Sequence, residues 1–228
     1  KRQFAQALEI AKESMGKFPE NDIIKFNYAK SLLENGFYSE TLKELENTVV
    51  LPHEGAMYGR TIYRKAAVLE GLQFLKEKKF EQALKSMEKA RLWPENLGVG
   101  RPYDVDERIE NFLEAECLSN LKETAKAQTL YQEIINYTRE NGADYKSTDY
   151  LYVMALRRLN MNQQASTFLT EWQQKSPDNP ALKLVNGGRM DDSVRFPNSD
   201  FELIKEISRY LTHPATAQMR KSPIFEDN

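Results

Sequence analysis

The sequence predicts an all-α protein built from antiparallel helix pairs, and three observations carry that prediction. Apolar residues recur at thirds and fourths, the period of one helical face: within 80–90, Ala83 and Ala90 share a side with Met87 between them and Phe80 at the entrance. Small residues then return over long intervals. Thr41 follows Ala7 by 34 residues, Ala83 follows Thr41 by 42, Ala127 follows Ala83 by 44, and Ala165 follows Ala127 by 38. Finally, 40% apolar and 29% charged residues with ten glycines and nine prolines suit a soluble, mostly helical chain.

Taken in order, residues 3–18 carry Phe4, Ala7, Ala11 and Ser14 and stop before Pro19. Tyr28, Ala29 and Leu32 then mark one helix and Tyr38, Thr41 and Leu45 the next. Asn35-Gly36 between them supplies the left-handed turn residue that closes a helix. Gly71 and Phe74 place a helix before 80–90. Ala115 and Leu118 pair with Ala127, Tyr131 and Ile134, and Val153 and Leu156 with Ala165, Leu169 and Trp172, ending before Pro177. The extra residues of the longer intervals fall between pairs: Pro52-His53-Glu54-Gly55, the stretch 93–103, and Asn141-Gly142. Residues 181–185 give a short helix, then Asn186-Gly187-Gly188 and Pro197 mark a loop. Ser199 and Glu202 form a capping box that starts a helix over about 200–212, with Phe201, Ile204, Ile207, Tyr210 and Leu211 on one stripe. Pro214 and the charges from Arg220 onward predict a fraying end.

Composition narrows the function. A net charge of −2 argues against a dedicated nucleic-acid or anionic-membrane binder. No apolar run approaches the length of a membrane span. One cysteine, Cys117, excludes an internal disulfide and a multi-cysteine metal site, and fits a reducing, cytoplasmic compartment. The chain opens on Lys1 directly in helical pattern and reads as a fragment of a longer protein.

No catalytic, cofactor or metal constellation stands out. His53 and His213 lie far apart, each beside a proline. Gly98 and Gly100 lack the preceding strand and third glycine of a dinucleotide loop. Cys117 sits on an apolar helix face, as a core filler does. The charges of 76–79 read as a solvated helix end. Asp104, Asp106 and Glu107 read as acids complementing a helix N-terminus.

The small residues at Ala29, Thr41, Ala83, Ala115, Ala127 and Ala165 resemble the tetratricopeptide repeat (TPR) pattern, a 34-residue helix–turn–helix unit. The resemblance implies a right-handed superhelix with irregular inter-unit loops and a C-terminal helix. Its array spans 1–180, with a half unit at 1–20 and units at about 21–50, 56–93, 106–137 and 146–178, followed by an extension over 181–228. It also implies a concave groove that binds a partner segment. Carried over, the groove positions are Ile23, Phe26, Lys30, Leu33, Lys65, Val68, Leu72, Leu75, Ile109, Phe112, Glu116, Ser119, Ser147, Tyr150, Met154, Arg157 and Arg158, an apolar floor with basic residues at one end. A clamp for a chaperone's terminal carboxylate is rejected: Asn27 and Lys65 fit it, but Leu69 stands where its arginine belongs.

A second resemblance is more specific. Leu51–Arg60 and Trp93–Arg108 look like the C-terminal repeat region of large bacterial proteins that carry an upstream mutarotase-like β-sandwich domain of unknown function. Trp93, Leu97, Val99 and Tyr103 are expected to pack back on a neighbouring unit, with Arg101 exposed, and Trp93, Arg101 and Tyr103 form a candidate loop site. Three functions follow as expectations. The first is a non-enzymatic interaction module whose partner is a protein or peptide segment, its own upstream domain or a second copy. The second is the helical arm of a carbohydrate-binding or carbohydrate-processing protein. The third is a structural array whose groove is filled by its own tail.

Overall fold

A computed structural model of the chain describes residues 2–52, 57–188, 190 and 199–213. The expected turn at His53–Gly55, the loop around Pro197, the Ser199 cap and the end from Pro214 lie outside the described side chains or residues. Among the described residues every regular element is helical, as the apolar periodicity predicts. The α-helices are α1 (Arg2–Lys17), α2 (Asp22–Glu34), α3 (Tyr38–Glu46), α4 (Tyr58–Lys76), α5 (Phe80–Ala90), α6 (Arg108–Asn120), α7 (Thr124–Asn141), α8 (Asp149–Arg158), α9 (Asn162–Lys175), α10 (Ala181–Val185) and α11 (Ser199–Thr212). One 3-10 turn, Glu95–Leu97, interrupts the connection between α5 and α6.

Four of the helix pairs turn in the same way, each through three residues. Gly36, Lys78, Lys122 and Asn160 are the left-handed residues of these turns, with φ of 85°, 60°, 65° and 58°. In each turn the next amide reaches back to a carbonyl near the end of the first helix. Phe37 N donates to Leu32 O (3.0 Å), Lys79 N to Phe74 O, Glu123 N to Leu118 O and Met161 N to Leu156 O (each 2.9 Å). This hydrogen bond satisfies a helix-end carbonyl and reverses the chain. The buried small residue follows five positions later every time: Thr41, Ala83, Ala127 and Ala165. The stretched intervals of 42, 44 and 38 residues therefore recur between the turn residues themselves.

The chain divides into two compact units, Lys1–Gly71 with Lys85–Val105, and Leu72–Leu84 with Asp106–Asn228. In the first, α1 packs on α2 and α2 on α3. Asn21 caps α2 by accepting from Ile23 N (3.0 Å) and Ile24 N (3.2 Å). Ala29, Leu32, Leu33, Leu42 and Leu45 are buried, whereas Ala7, expected to face inward, is exposed on α1. Glu70 on α4 is buried and ties two helices together, accepting from Ser39 Oγ (2.6 Å) on α3 and Ser86 Oγ (2.8 Å) on α5.

The 93–103 stretch belongs to this first unit and braces it. Asn96 Nδ2 donates to Leu45 O (2.8 Å) and Thr48 O (2.7 Å), closing the end of α3, while Val50 N donates to Asn96 O (2.8 Å). Leu97 is buried, and Gly98 takes φ 76° where an added Cβ would stand 2.5 Å from Val50 O. Trp93 is half-buried, its ring 4.6 Å from the Arg60 guanidinium, which itself donates to Ala90 O at 2.6 Å. Val99 is half-buried and Arg101 exposed, as expected, but Tyr103 is fully exposed. The packing contact expected of Tyr103 is not made: from Gly100 to Asp104 every residue is exposed.

In the second unit α6, α7, α8 and α9 pack in sequence, α6 also meets α8, and α10 lies against α8, α9 and α11. Buried residues cover almost every side of α6, and all of α8 from Asp149 to Leu156. α11 packs against α10. Asp200 lines the same cleft as Arg108 and Asp149 at the starts of α6 and α8, and Glu206 lies 3.9 Å from Lys76 at the end of α4. The stripe expected of Phe201, Ile204, Ile207, Tyr210 and Leu211 is buried, joined by Leu203, Lys205 and Ser208.

Two predictions follow from the paired-helix geometry. Ala127→Leu puts a large side chain into the α6–α7 contact and should cost about 1–3 kcal/mol in chemical denaturation; unchanged stability would refute the close approach. Lys122→Gly removes a left-handed strain that costs an L-residue about 1–2 kcal/mol, partly offset by glycine's extra chain entropy. A gain of roughly 0.5–1 kcal/mol is expected in the same assay.

Candidate functional site

The expected groove residues separate into two groups. Those on α2 and the first half of α4 remain accessible, except Leu33, which is buried. Ile23 is 72% exposed, Lys30 is exposed, and Phe26 and Lys65 are half-buried. The local sequence dictates this face: the Asn21 cap starts α2, and Asp22 Oδ1 accepts from Val49 N at 3.0 Å. That bond, more than the neighbouring Lys25, holds the Asp22 carboxyl below its ordinary value. Tyr58, at the start of α4, completes the patch. Its ring lies 5.6 Å from that of Phe26, tilted by 55°, and Lys30 Nζ stands 5.5 Å from its centroid. Contact with the Tyr58 hydroxyl raises the Lys30 pKa, so the cation stays charged at the edge of an aromatic pair.

The second group is buried. Val68, Leu72, Phe112, Glu116, Tyr150 and Met154 present no free surface, so the groove reading is corrected at these positions. The Phe112 ring lies 5.8 Å from Tyr131 on α7, and Glu116 Oε1 accepts from Tyr131 Oη (2.8 Å) and Arg158 Nε (2.6 Å). Both side chains point into helix contacts rather than out to a ligand. Burial works to lower the Arg158 pKa, but the Glu116 carboxylate overcomes it and keeps the guanidinium charged. Burial, reinforced by Glu116, pushes the Tyr131 hydroxyl well above its ordinary pKa. Arg157, half-buried, donates from Nη1 to Val185 O (3.0 Å) at the end of α10. The basic end of the groove is thus spent on internal bonds.

A polar cleft of about 290 Å³ opens beside the starts of α6 and α8. Its floor is Arg108, all five of whose N–H groups are used. Nε and Nη2 bind Asp106 at 2.9 and 2.7 Å, Nη1 binds Thr138 Oγ1 (2.9 Å) and Asp149 Oδ1 (2.8 Å), and Nη2 also reaches Thr148 Oγ1 (2.7 Å). The guanidinium lies 5.2 Å from the Tyr137 centroid. Burial acts against its charge, yet Asp106 and Asp149 hold its pKa above the ordinary value. Asp144 is engaged with Lys146 at the rim. The cleft therefore sets an aromatic ring beside acids, but Asp106, Asp149 and Asp144 are already committed to cations. Sequence reading took Asp106 as a dipole-complementing acid and missed this network. A signal was present: Arg108 precedes Phe112 by four residues and Ala115 by seven, a charge on an apolar stripe.

The remaining candidates stay apart. Trp93 is engaged with Arg60, while Arg101 and Tyr103 lie on the exposed continuation of the loop and form no enclosed site with it. His213 is exposed and His53 lies outside the described residues. Cys117 is buried, and burial with the adjacent Glu116 pushes its thiol pKa well up, away from nucleophilic use. Among the described residues no group of three or more His, Cys, Asp or Glu is placed to hold a metal ion. No helix among them is long and apolar enough to cross a membrane. Comparison of the chain with family models, with curated proteins and with solved structures found no match.

The Glu116 network carries a pH prediction. A hydroxyl whose folded pKa lies above its unfolded value of about 10 contributes stability that is present below pH 10 and lost as pH rises through the folded pKa. Tyr131→Phe should cost about 1.5–3 kcal/mol near pH 7, the scale of a hydrogen bond to a charged group. The gap from the parent should close above pH 10; a constant gap in denaturation series would show that the bond to Glu116 is not the source.

Proposed function

We propose that the chain is a non-enzymatic interaction module of TPR type, its helix pairs belonging to a right-handed superhelix, and that it binds a partner segment on the face of α2 and the start of α4. The observation that carries this reading is the accessible patch of Ile23, Phe26 and Tyr58, edged by the charged Lys30. An aliphatic residue left 72% exposed beside an aromatic pair is the kind of surface that marks a protein contact rather than a solvated helix. The cation at its edge favours a segment that combines apolar anchors with an acidic residue. The partner is a protein or peptide; the upstream domain or a second copy would be outcomes of the same test. The single thiol of Cys117 suits a cytoplasmic setting.

The carbohydrate reading retains one supporting observation, the cleft in which Tyr137 stands beside Asp106, Asp149 and Asp144. Against it, those acids are engaged with Arg108 and Lys146, and the Arg108 guanidinium lies close to the ring. The interaction reading is the stronger because Ile23, Tyr58 and Lys30 stay exposed, Lys30 bonding within the patch to Tyr58.

The test is selection of displayed peptides against the full chain, repeated on Ile23→Asp with Phe26→Ser. Selected peptides should pair aromatic or aliphatic residues with an acid and lose at least tenfold in affinity, about 1.4 kcal/mol, on the double variant. Melting should change little, since neither side chain is buried. Peptides that bind parent and variant equally, or no enrichment at all, would overturn the assignment of this face.

A further inference from the structure

The accessible face of α2 and α4 combines an apolar patch with two cations. Beside Ile23, Phe26 and Tyr58 stands Val49, 51% exposed and held next to the start of α2 by its N–H to Asp22 Oδ1 (3.0 Å). The cations are Lys30 and Lys65. Each follows the exposed apolar residue of its own helix, Ile23 or Tyr58, by seven positions. That spacing returns it to the same side two turns on, about 10 Å along the axis. Lys30 bonds to Tyr58, with Glu34 acting on it only from a distance. Among the described residues no carboxylate forms an ion pair with either lysine.

We propose that this face receives residues 223–227 of a second copy of the chain, Pro223-Ile224-Phe225-Glu226-Asp227. The assignment rests on the α2–α4 face being a binding surface and names its occupant. Residues 223–227 lie outside the described residues, and it is their chemistry that matches them to the patch. The chain has three acid doublets, Asp106-Glu107, Asp191-Asp192 and Glu226-Asp227, and only the last follows two large apolar residues. Ile224 and Phe225 suit the apolar patch, where a ring set against an aromatic pair is the kind of anchor that dominates a contact. Glu226 and Asp227 bring two carboxylates to two ammonium groups. The spans agree as well. An extended step of three residues, as from Ile224 to Asp227, covers about 10 Å, the distance by which each lysine trails its apolar neighbour.

Patch and segment are different parts of one chain, so the association is head-to-tail, the patch of one copy taking the segment of another. A few side chains on an open face give a contact that depends on concentration. It also weakens with salt, because exposed ammonium–carboxylate pairs are screened.

The experiment uses the full chain. One variant loses the patch, Lys30→Glu with Lys65→Glu; the other loses the segment, Phe225→Ser with Glu226→Lys. In sedimentation the parent should associate as concentration rises and each variant alone should stay monomeric. The two variants mixed should form a dimer, since the mixture restores one patch and one segment. A mixture that stays monomeric overturns the proposal. A labelled peptide of residues 219–228 should bind the segment variant and lose at least tenfold on the patch variant. It should regain binding there when lysine replaces both Glu226 and Asp227 in the peptide. Equal binding to both variants also overturns the proposal. If the patch variant does not fold, Ile23→Asp, at a side chain 72% exposed, takes its place. A monomeric parent that binds the peptide only after its own segment is changed would overturn the second copy as the source. Displayed peptides that select this face while 219–228 fails to bind would overturn the occupant and keep the surface; failure of both would overturn both.

Discussion

Each of four turns places a residue in the left-handed region and, five positions on, buries a small side chain. Among the described residues, the pairing of α2 through α9 follows that coupling. The left-handed residue lets the amide after it bond back to the first helix, which sets where the second helix begins. The second helix then returns beside the first, and the position that comes nearest has room for little beyond a methyl group. Thr41 meets the same demand differently: its hydroxyl donates to Phe37 O at 2.7 Å, so the extra polar atom is satisfied within its own helix. Lys78 and Lys122 accept an unfavourable φ to preserve the turn, which shows that the turn outranks local preference.

Buried charge is the second organising feature, and it falls where helices from different pairs meet. Glu70 bridges α3 and α5 through two serine hydroxyls, Glu116 joins α7 to α8, and Arg108 gathers α7 and the start of α8 around one guanidinium. Apolar stripes alone would allow neighbouring pairs to slide by a turn. A carboxylate that needs a hydroxyl from one helix and a guanidinium from another admits a single register, because any slip strands a charge away from water.

The repeat register was legible because it rests on two local signals, period and turn chemistry, that need no tertiary knowledge. Small misreadings occurred where a face is broad: Phe168 is buried and Leu169 is half-buried, the reverse of the expected emphasis, since Phe168 joins a cluster with Tyr145, Tyr152 and Trp172. The candidate site was less legible. Position within a helix says which side a residue faces, but not what later chain arrives there. Phe26 and Phe112 hold equivalent positions, yet one is half-exposed and the other fully buried. Likewise the charge of Arg108 looks the same in sequence whether solvated or walled in, except for its place on an apolar stripe.

The lengths of the connections obey the same constraint. Turns within pairs are three residues every time, while those between pairs run from four residues after α1 to seventeen before α6. A change inside a pair would move the left-handed residue off the helix end and lose the bond to the first helix. Between pairs, chain can be added wherever it brings its own hydrogen bonds. The stretch before α6 does so through Asn96, which closes the end of α3, and Leu97, which fills the space beside it. Among the described residues, variation in length is thus confined to the connections between pairs, which can lengthen without disturbing the turn inside a pair.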